Sequence, residues 1–235
     1  MTLVDFLSDP KHFVARERLL HTKATLDMKL AAAHCGVQLQ VTEPEIDNLG
    51  HDFIASVSFD QVYLQNKATL SKANVERWEI HTRFLEASFK DRDLAPVVHG
   101  LPVGGMAGAF GGFLLHEVST EAAALGELKV SYWYFDIIFA NAVRTGLWKS
   151  NTFSPQQAES LLVDIAKADR GGRVKIRKAF MLPITSPNAI LNFRLHLPRP
   201  SNWNSLGSVN DTWDQNRLVD HWRREISCWV PDTSE

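Results

Sequence analysis

The chain has 235 residues, a formal charge of −2, 45% hydrophobic and 22% charged residues, which suits a folded domain with a substantial core. No apolar run is long enough for a membrane-spanning helix. The near-neutral balance excludes a protein that holds nucleic acid over its whole exterior, so any such contact must be a local basic groove.

The first residues, Met1 to Phe6, place no basic stretch ahead of an apolar one, so no signal peptide is expected. Cys35 and Cys228 form no metal-ligand spacing, and the economical reading is a cytoplasmic protein with free thiols. No repeat or long linker interrupts the chain, and one domain over residues 1–235 is expected.

From about His12 to Cys35, the residues Phe13, Leu19, Leu20, Leu26, Leu30 and Ala33 recur at helical spacing, with Gly36 as the stop. Val37 to Val41 alternates as a strand does, and Pro44 ends it. Phe53–Val57 and Gln61–Asn66 predict two strands joined near Ser58-Phe59-Asp60, and Trp78–His81 predicts another. Gly100 to Gly112 lacks the Gly-Lys-Ser/Thr ending of a phosphate loop, and it reads as a flexible loop placed to close over substrate.

Phe113–Val118 reads as a buried strand and Tyr132–Trp148 as a buried helix. Ser154-Pro155-Gln156-Gln157 opens a helix running to about Ala168, with Ser as N-cap and Gln at the capping-box position. Arg173 to Phe180 predicts a strand, and Trp213 to Trp229 a C-terminal helix. Of seven tryptophans, four (Trp203, Trp213, Trp222, Trp229) lie in the last 35 residues; the helix-like spacing of Trp213, Trp222 and Trp229 favours core or dimer packing over base stacking. The expected architecture is α/β, a central mixed sheet flanked by helices with a helical C-terminal extension.

The chemistry concentrates in Asp47-Asn48-Leu49-Gly50-His51-Asp52 and in Val62-Tyr63-Leu64-Gln65-Asn66-Lys67. Gln65 and Lys67 share one face of a strand. A hairpin turning near Ser58-Phe59 sets Asp52 across from Gln65, with Cβ atoms roughly 4.5–5.5 Å apart. One ion can bridge that gap, and the carbonyl of Asn66 offers a further ligand. Asp47 is an alternative acid, although Asn48-Leu49-Gly50 favours a turn there. His51 neighbours the cluster and could position water or phosphate. Arg173, Lys175 and Arg177 alternate with apolar residues, which gives one strand face three cations suited either to phosphate or to solvent.

The Asp52…Gln65-Asn66-Lys67 constellation resembles the Gln-x-Lys variant of the PD-(D/E)XK nucleases, found in Mrr-type restriction enzymes and related bacterial proteins. Roughly residues 12–118 carry the resemblance, with a mixed remainder at 119–199 and a Trp-rich segment at 200–235. It implies a restriction-endonuclease-like core and metal-dependent hydrolysis of phosphodiesters, of DNA first, in restriction or antiviral defence. It also implies Mg²⁺ or Mn²⁺ held by Asp27 and Asp52, Gln65 as a neutral ligand and Lys67 as the catalytic cation. Asp27 takes the place of a helix glutamate nine residues before the stop at Gly36, with Glu17 an alternative on the same helix. The departures are the shorter Asp27 and the missing carboxylate at Gln65, which weaken metal binding or mark a scaffold that binds without cutting. A single such site cuts one strand, so double-strand cleavage calls for a homodimer.

Overall fold

The computed structural model describes residues 2–34, 38–43, 51–57, 60–86, 111–146, 148–168 and 172–184. The stop at Gly36, the turn at Ser58-Phe59, Asp47, most of Gly100–Gly112 and the expected C-terminal helix lie outside them.

Helix α1 (Leu3–Ser8), too short to announce itself by periodicity, is closed by a capping box in which Thr2 and Asp5 each accept the other's backbone N–H. Helix α2 (Phe13–His34) follows where the apolar spacing put it. Its buried stripe, however, is Leu20, Ala24, Met28 and Ala32, four residues apart, while Phe13, Leu26 and Leu30 stay about half exposed. The many apolar residues of α2 fix its length better than its inward face, because they do not form a single stripe.

Strands β1 (Leu39–Thr42), β2 (Phe53–Val57) and β3 (Asp60–Leu70) form an antiparallel meander. Strand β4 (Arg77–His81) and the short α3 (Thr82–Leu85) come next. Strand β5 (Gly112–Val118) then pairs parallel to β3. After α4 (Thr120–Ala124), β6 (Val130–Phe135) returns antiparallel to β5, and α5 (Ile137–Arg144) and α6 (Pro155–Lys167) pack on each other. Strand β7 (Arg173–Arg177) pairs with β4 as a separate two-stranded ribbon, and β8 (Leu182–Ile184) closes the main sheet beside β6. The result is mixed α/β, with a six-stranded mixed sheet in the order β1-β2-β3-β5-β6-β8 flanked by helices.

Alternation along β3 divides the sheet into two faces. Asn66 points to the face covered by α2, where its Nδ2 lies 3.4 Å from His21 Nδ1. His116 and Tyr132, paired in the ladder, occupy that face too. Gln65, Lys67 and Thr69 point the other way, in register with Phe113, Leu115 and Glu117. On this second face the ribbon packs, with the Trp78 and Phe113 ring centroids 6.2 Å apart.

Tyr132–Trp148 is not one helix. Tyr132-Trp133-Tyr134-Phe135 is strand, and the helix begins only at Ile137. A continuous apolar run cannot separate buried helix from buried strand by period, and aromatic residues favour the strand. Asp136 makes the switch. It is 0% exposed, accepts the Phe139 N–H at 2.7 Å as N-cap of α5, and accepts the Tyr134 hydroxyl at 2.8 Å. Asp136→Ala orphans both buried donors, so about 3 kcal/mol of stability is expected to be lost. A urea midpoint unchanged from the parent would remove Asp136 from this role. The strand expected over Arg173–Phe180 stops at Arg177 and tightens into one 3₁₀ turn, Lys178–Phe180. Helix α6 starts as read, with Ser154 and Gln157 in a reciprocal cap behind Pro155.

Candidate functional site

The hairpin β2–β3 builds the candidate site. Its register pairs Phe53 with Leu64, which leaves Asp52 just beyond the end of β2. The Asp52 N–H donates to Leu64 O at 2.8 Å, and its Oδ2 accepts the Asn66 N–H at 2.5 Å. A backbone donor held by a carboxylate is a charge-assisted bond, stronger than a neutral one. It pins the Asp52 side chain to the strand segment that carries Gln65 and Lys67.

Gln65 is 9% exposed, and its Oε1 is buried with no hydrogen-bond partner among the described residues. An acceptor stripped of water and left unbonded costs on the order of 1–3 kcal/mol, a cost that an ordered water, a ligand or a metal ion would each relieve. Lys67 is half-buried on the same face beside Leu115, and among the described residues its ammonium makes no ion pair. A carboxylate, an amide oxygen and an ammonium are the group types that suit a hard divalent cation and an anionic substrate, and here they stand on the two arms of one hairpin. His51 is buried beside them, edge-on to Tyr63 with ring centroids 5.1 Å apart.

Asp27 does not join this group. Helix α2 covers the opposite face of the sheet, and there Asp27 accepts Lys23 Nζ at 2.5 Å and the Tyr132 hydroxyl at 2.6 Å. Burial, and then the bond to Asp27, push the Tyr132 hydroxyl far above its ordinary pKa. The count of nine residues back from Gly36 located Asp27 along its helix. It could not say which sheet face that helix covers. Glu17 is exposed. Among the described residues no three His, Cys, Asp or Glu side chains lie close enough to hold a metal ion.

Two polar groups were not singled out from sequence. Glu117 lies on the Lys67 face; it pairs with Lys178 and accepts Trp133 Nε1–H at 3.0 Å, while Lys178 sits 4.5 Å over the Trp133 ring. An acid inside the apolar run Phe113–Val118 was the available signal. His116, 1% exposed beneath α2, leaves its Nε2 buried without a partner among the described residues. Burial first, then the charge of His21, lower its pKa to about 3, against an opposing pull from Asp27.

Arg173, Lys175 and Arg177 do share one exposed face of β7. Opposite them on β4 stand His81, Glu79 and Arg77 respectively. Arg173 and Lys175 each lie 3.7 Å from Glu79. They belong to the ribbon and not to the Asp52 hairpin, although the ribbon covers the sheet face that carries Gln65 and Lys67.

No protein-family model matches the chain, and neither a curated protein nor a solved structure matches it.

Proposed function

We propose that the chain is a metal-dependent endonuclease of the PD-(D/E)XK class, hydrolysing phosphodiester bonds of DNA in a cytoplasmic restriction or phage-defence role. The observation that carries this reading is the buried Oε1 of Gln65, on the strand face shared with Lys67 and next to Asn66, whose N–H the Asp52 carboxylate accepts. A mixed sheet entered by a helix and an antiparallel meander is compatible with a restriction-endonuclease-like core. Asp52, Gln65 and the Asn66 carbonyl would hold Mg²⁺ or Mn²⁺, which when bound supplies a Lewis acid and a water of lowered pKa. Lys67 neutralises charge growing on the phosphate as the bond to the leaving oxygen breaks. Asp27 takes no part, and Gln65 contributes no charge, so weak metal affinity is expected. Among the described residues no helix is long and apolar enough to cross a membrane. A homodimer would bring two sites to the two strands of a duplex.

Supercoiled plasmid incubated with Mg²⁺ or Mn²⁺ tests the reading. The parent should nick or linearise it, and Lys67→Ala and Asp52→Ala should each slow cleavage by about 10²–10³-fold. Cleavage by Lys67→Ala at the parental rate sinks the assignment. RNA run beside DNA tests the choice of substrate.

A second reading, a nuclease-like scaffold that binds nucleic acid or a protein without cutting, is favoured by the single carboxylate of the hairpin site and the withdrawal of Asp27. Calorimetric titration with Mn²⁺ separates the two, because a scaffold shows no saturable site that disappears in Asp52→Ala.

A further inference from the structure

We infer that the outward face of the β4–β7 ribbon is a track for a phosphodiester backbone, made of Arg77, Arg173, Lys175 and Arg177 and partly masked by Glu79. The inference rests on the reading of the chain as a nucleic-acid enzyme and adds the docking surface, with Arg77 as a contributor from β4.

The ribbon is two strands deep in charge and one residue deep in core. Trp78, Ile80, Val174 and Ile176 face inward and are buried. The outward positions hold four permanent cations against the carboxylate of Glu79, a net +3 with His81 neutral, on a chain whose formal charge is −2. Like charges placed directly across two strands destabilise the pair. Arg77 nevertheless stands opposite Arg177, and among the described residues neither has an ion-pair partner. Protecting an edge from aggregation needs charge but not charge of one sign. A row of cations at alternate residues, roughly 6.6–6.8 Å apart along β7, presents a linear field of one sign. The occupant that complements it is a linear polyanion.

Glu79 bonds weakly to two of the four. Its contacts to Arg173 and Lys175, both 3.7 Å, are longer than hydrogen bonds, and all three side chains are more than half exposed. Glu79 therefore acts as an internal counter-ion that a phosphate replaces. The ribbon's inner side lies on Phe113, the ladder neighbour of Gln65. The track therefore lies on the far side of the ribbon from the sheet face that carries Lys67, as a docking surface separate from that face.

Fluorescence anisotropy of labelled single- and double-stranded DNA, in EDTA across a salt series, tests the track without cleavage. Arg77→Gln/Arg177→Gln should lower the slope of log K against log salt by about 1.4–1.8 and weaken binding at least tenfold at low salt. Glu79→Gln should bind more tightly and steepen the slope. Lys29→Gln, an exposed cation on α2 across the sheet from the ribbon, should bind as the parent does, which separates the track from surface charge at large. Melting temperatures check that each variant is folded. An unchanged affinity and slope in the folded double variant overturns the inference, and so does polyglutamate binding as tightly as DNA. Binding without cleavage would remove the enzyme reading and leave the track in place. Cleavage by the double variant with unchanged KM would remove the track and leave the enzyme.

Discussion

Gly112→Ala is expected to remove about 4 kcal/mol of stability, enough to leave a marginal domain largely unfolded. A Cβ on Gly112 would lie 2.3 Å from both Cε2 and Oη of Tyr134, closer than real Cβ contacts come. The ring cannot step aside cheaply. Tyr134 is 1% exposed, and its hydroxyl is bonded to Asp136, which caps α5. Moving the ring therefore costs a core contact and a buried hydrogen bond together. Backing the Cβ away instead shifts β5, the central strand held between β3 and β6. Gly111 has the same constraint against Phe84, whose Cε2 would lie 2.2 Å away. Urea unfolding followed by tryptophan fluorescence measures the loss. Tyr134→Leu combined with Gly112→Ala should recover part of it, because the clash partner is shortened. Gly112→Ala within 1 kcal/mol of the parent would show that the sheet adjusts, and the steric account would fail.

Acid should destabilise the protein well before its carboxylates are protonated. His116 titrates near 3 in the folded chain and near 6.5 when unfolded. A depressed histidine favours the neutral, folded form. Its contribution is complete above about pH 6.5 and is lost as pH falls towards 3, because the unfolded chain takes up a proton that the folded one refuses. Each unit of that interval is worth about 1.4 kcal/mol, so roughly 3 kcal/mol should be gone by pH 4. The groups facing His116 are His21 and Asp27 on α2 and Tyr132 on β6, with Lys23 pairing Asp27. His21 adds to the trend by repulsion. His116→Leu, close in volume, should keep neutral-pH stability within about 1.5 kcal/mol and flatten the curve of melting temperature between pH 4 and 6.5. Parallel curves for parent and variant would show that the slope arises elsewhere.

The sequence was legible where a rule is local. Strands β2, β3 and β5 follow from apolar runs between breakers, and α6 from one capping box. The pairing of Asp52 with the Gln65 segment follows from turn position and strand alternation. Elements decided by distant contacts were not legible. Tyr132–Phe135 becomes strand because β5 and β8 lie on either side of it. Asp27 leaves the candidate site because α2 chooses a sheet face. Glu117, Trp133 and Lys178 meet from three elements, and no spacing in the chain announces them. The glycines at the end of Gly100–Gly112 looked like freedom of backbone. For Gly111 and Gly112 the reason is lack of room.

The hairpin β2–β3 also divides the site's history in time. Asp52, Gln65 and Lys67 are supplied by 16 consecutive residues, and an antiparallel hairpin closes in about 1–10 μs. Strand β5, which lines the same face, must travel back across the whole segment between Leu70 and Gly112 before it docks beside β3. The three candidate side chains can thus be aligned early while water still bathes them. Gln65 is dried only when β5 has docked beside β3 and the β4–β7 ribbon has packed on Phe113 over that face. Sub-global opening of the ribbon and β5 would rehydrate that amide oxygen without scattering the three side chains. Alignment belongs to the hairpin, and dryness to the elements that pack on it afterwards.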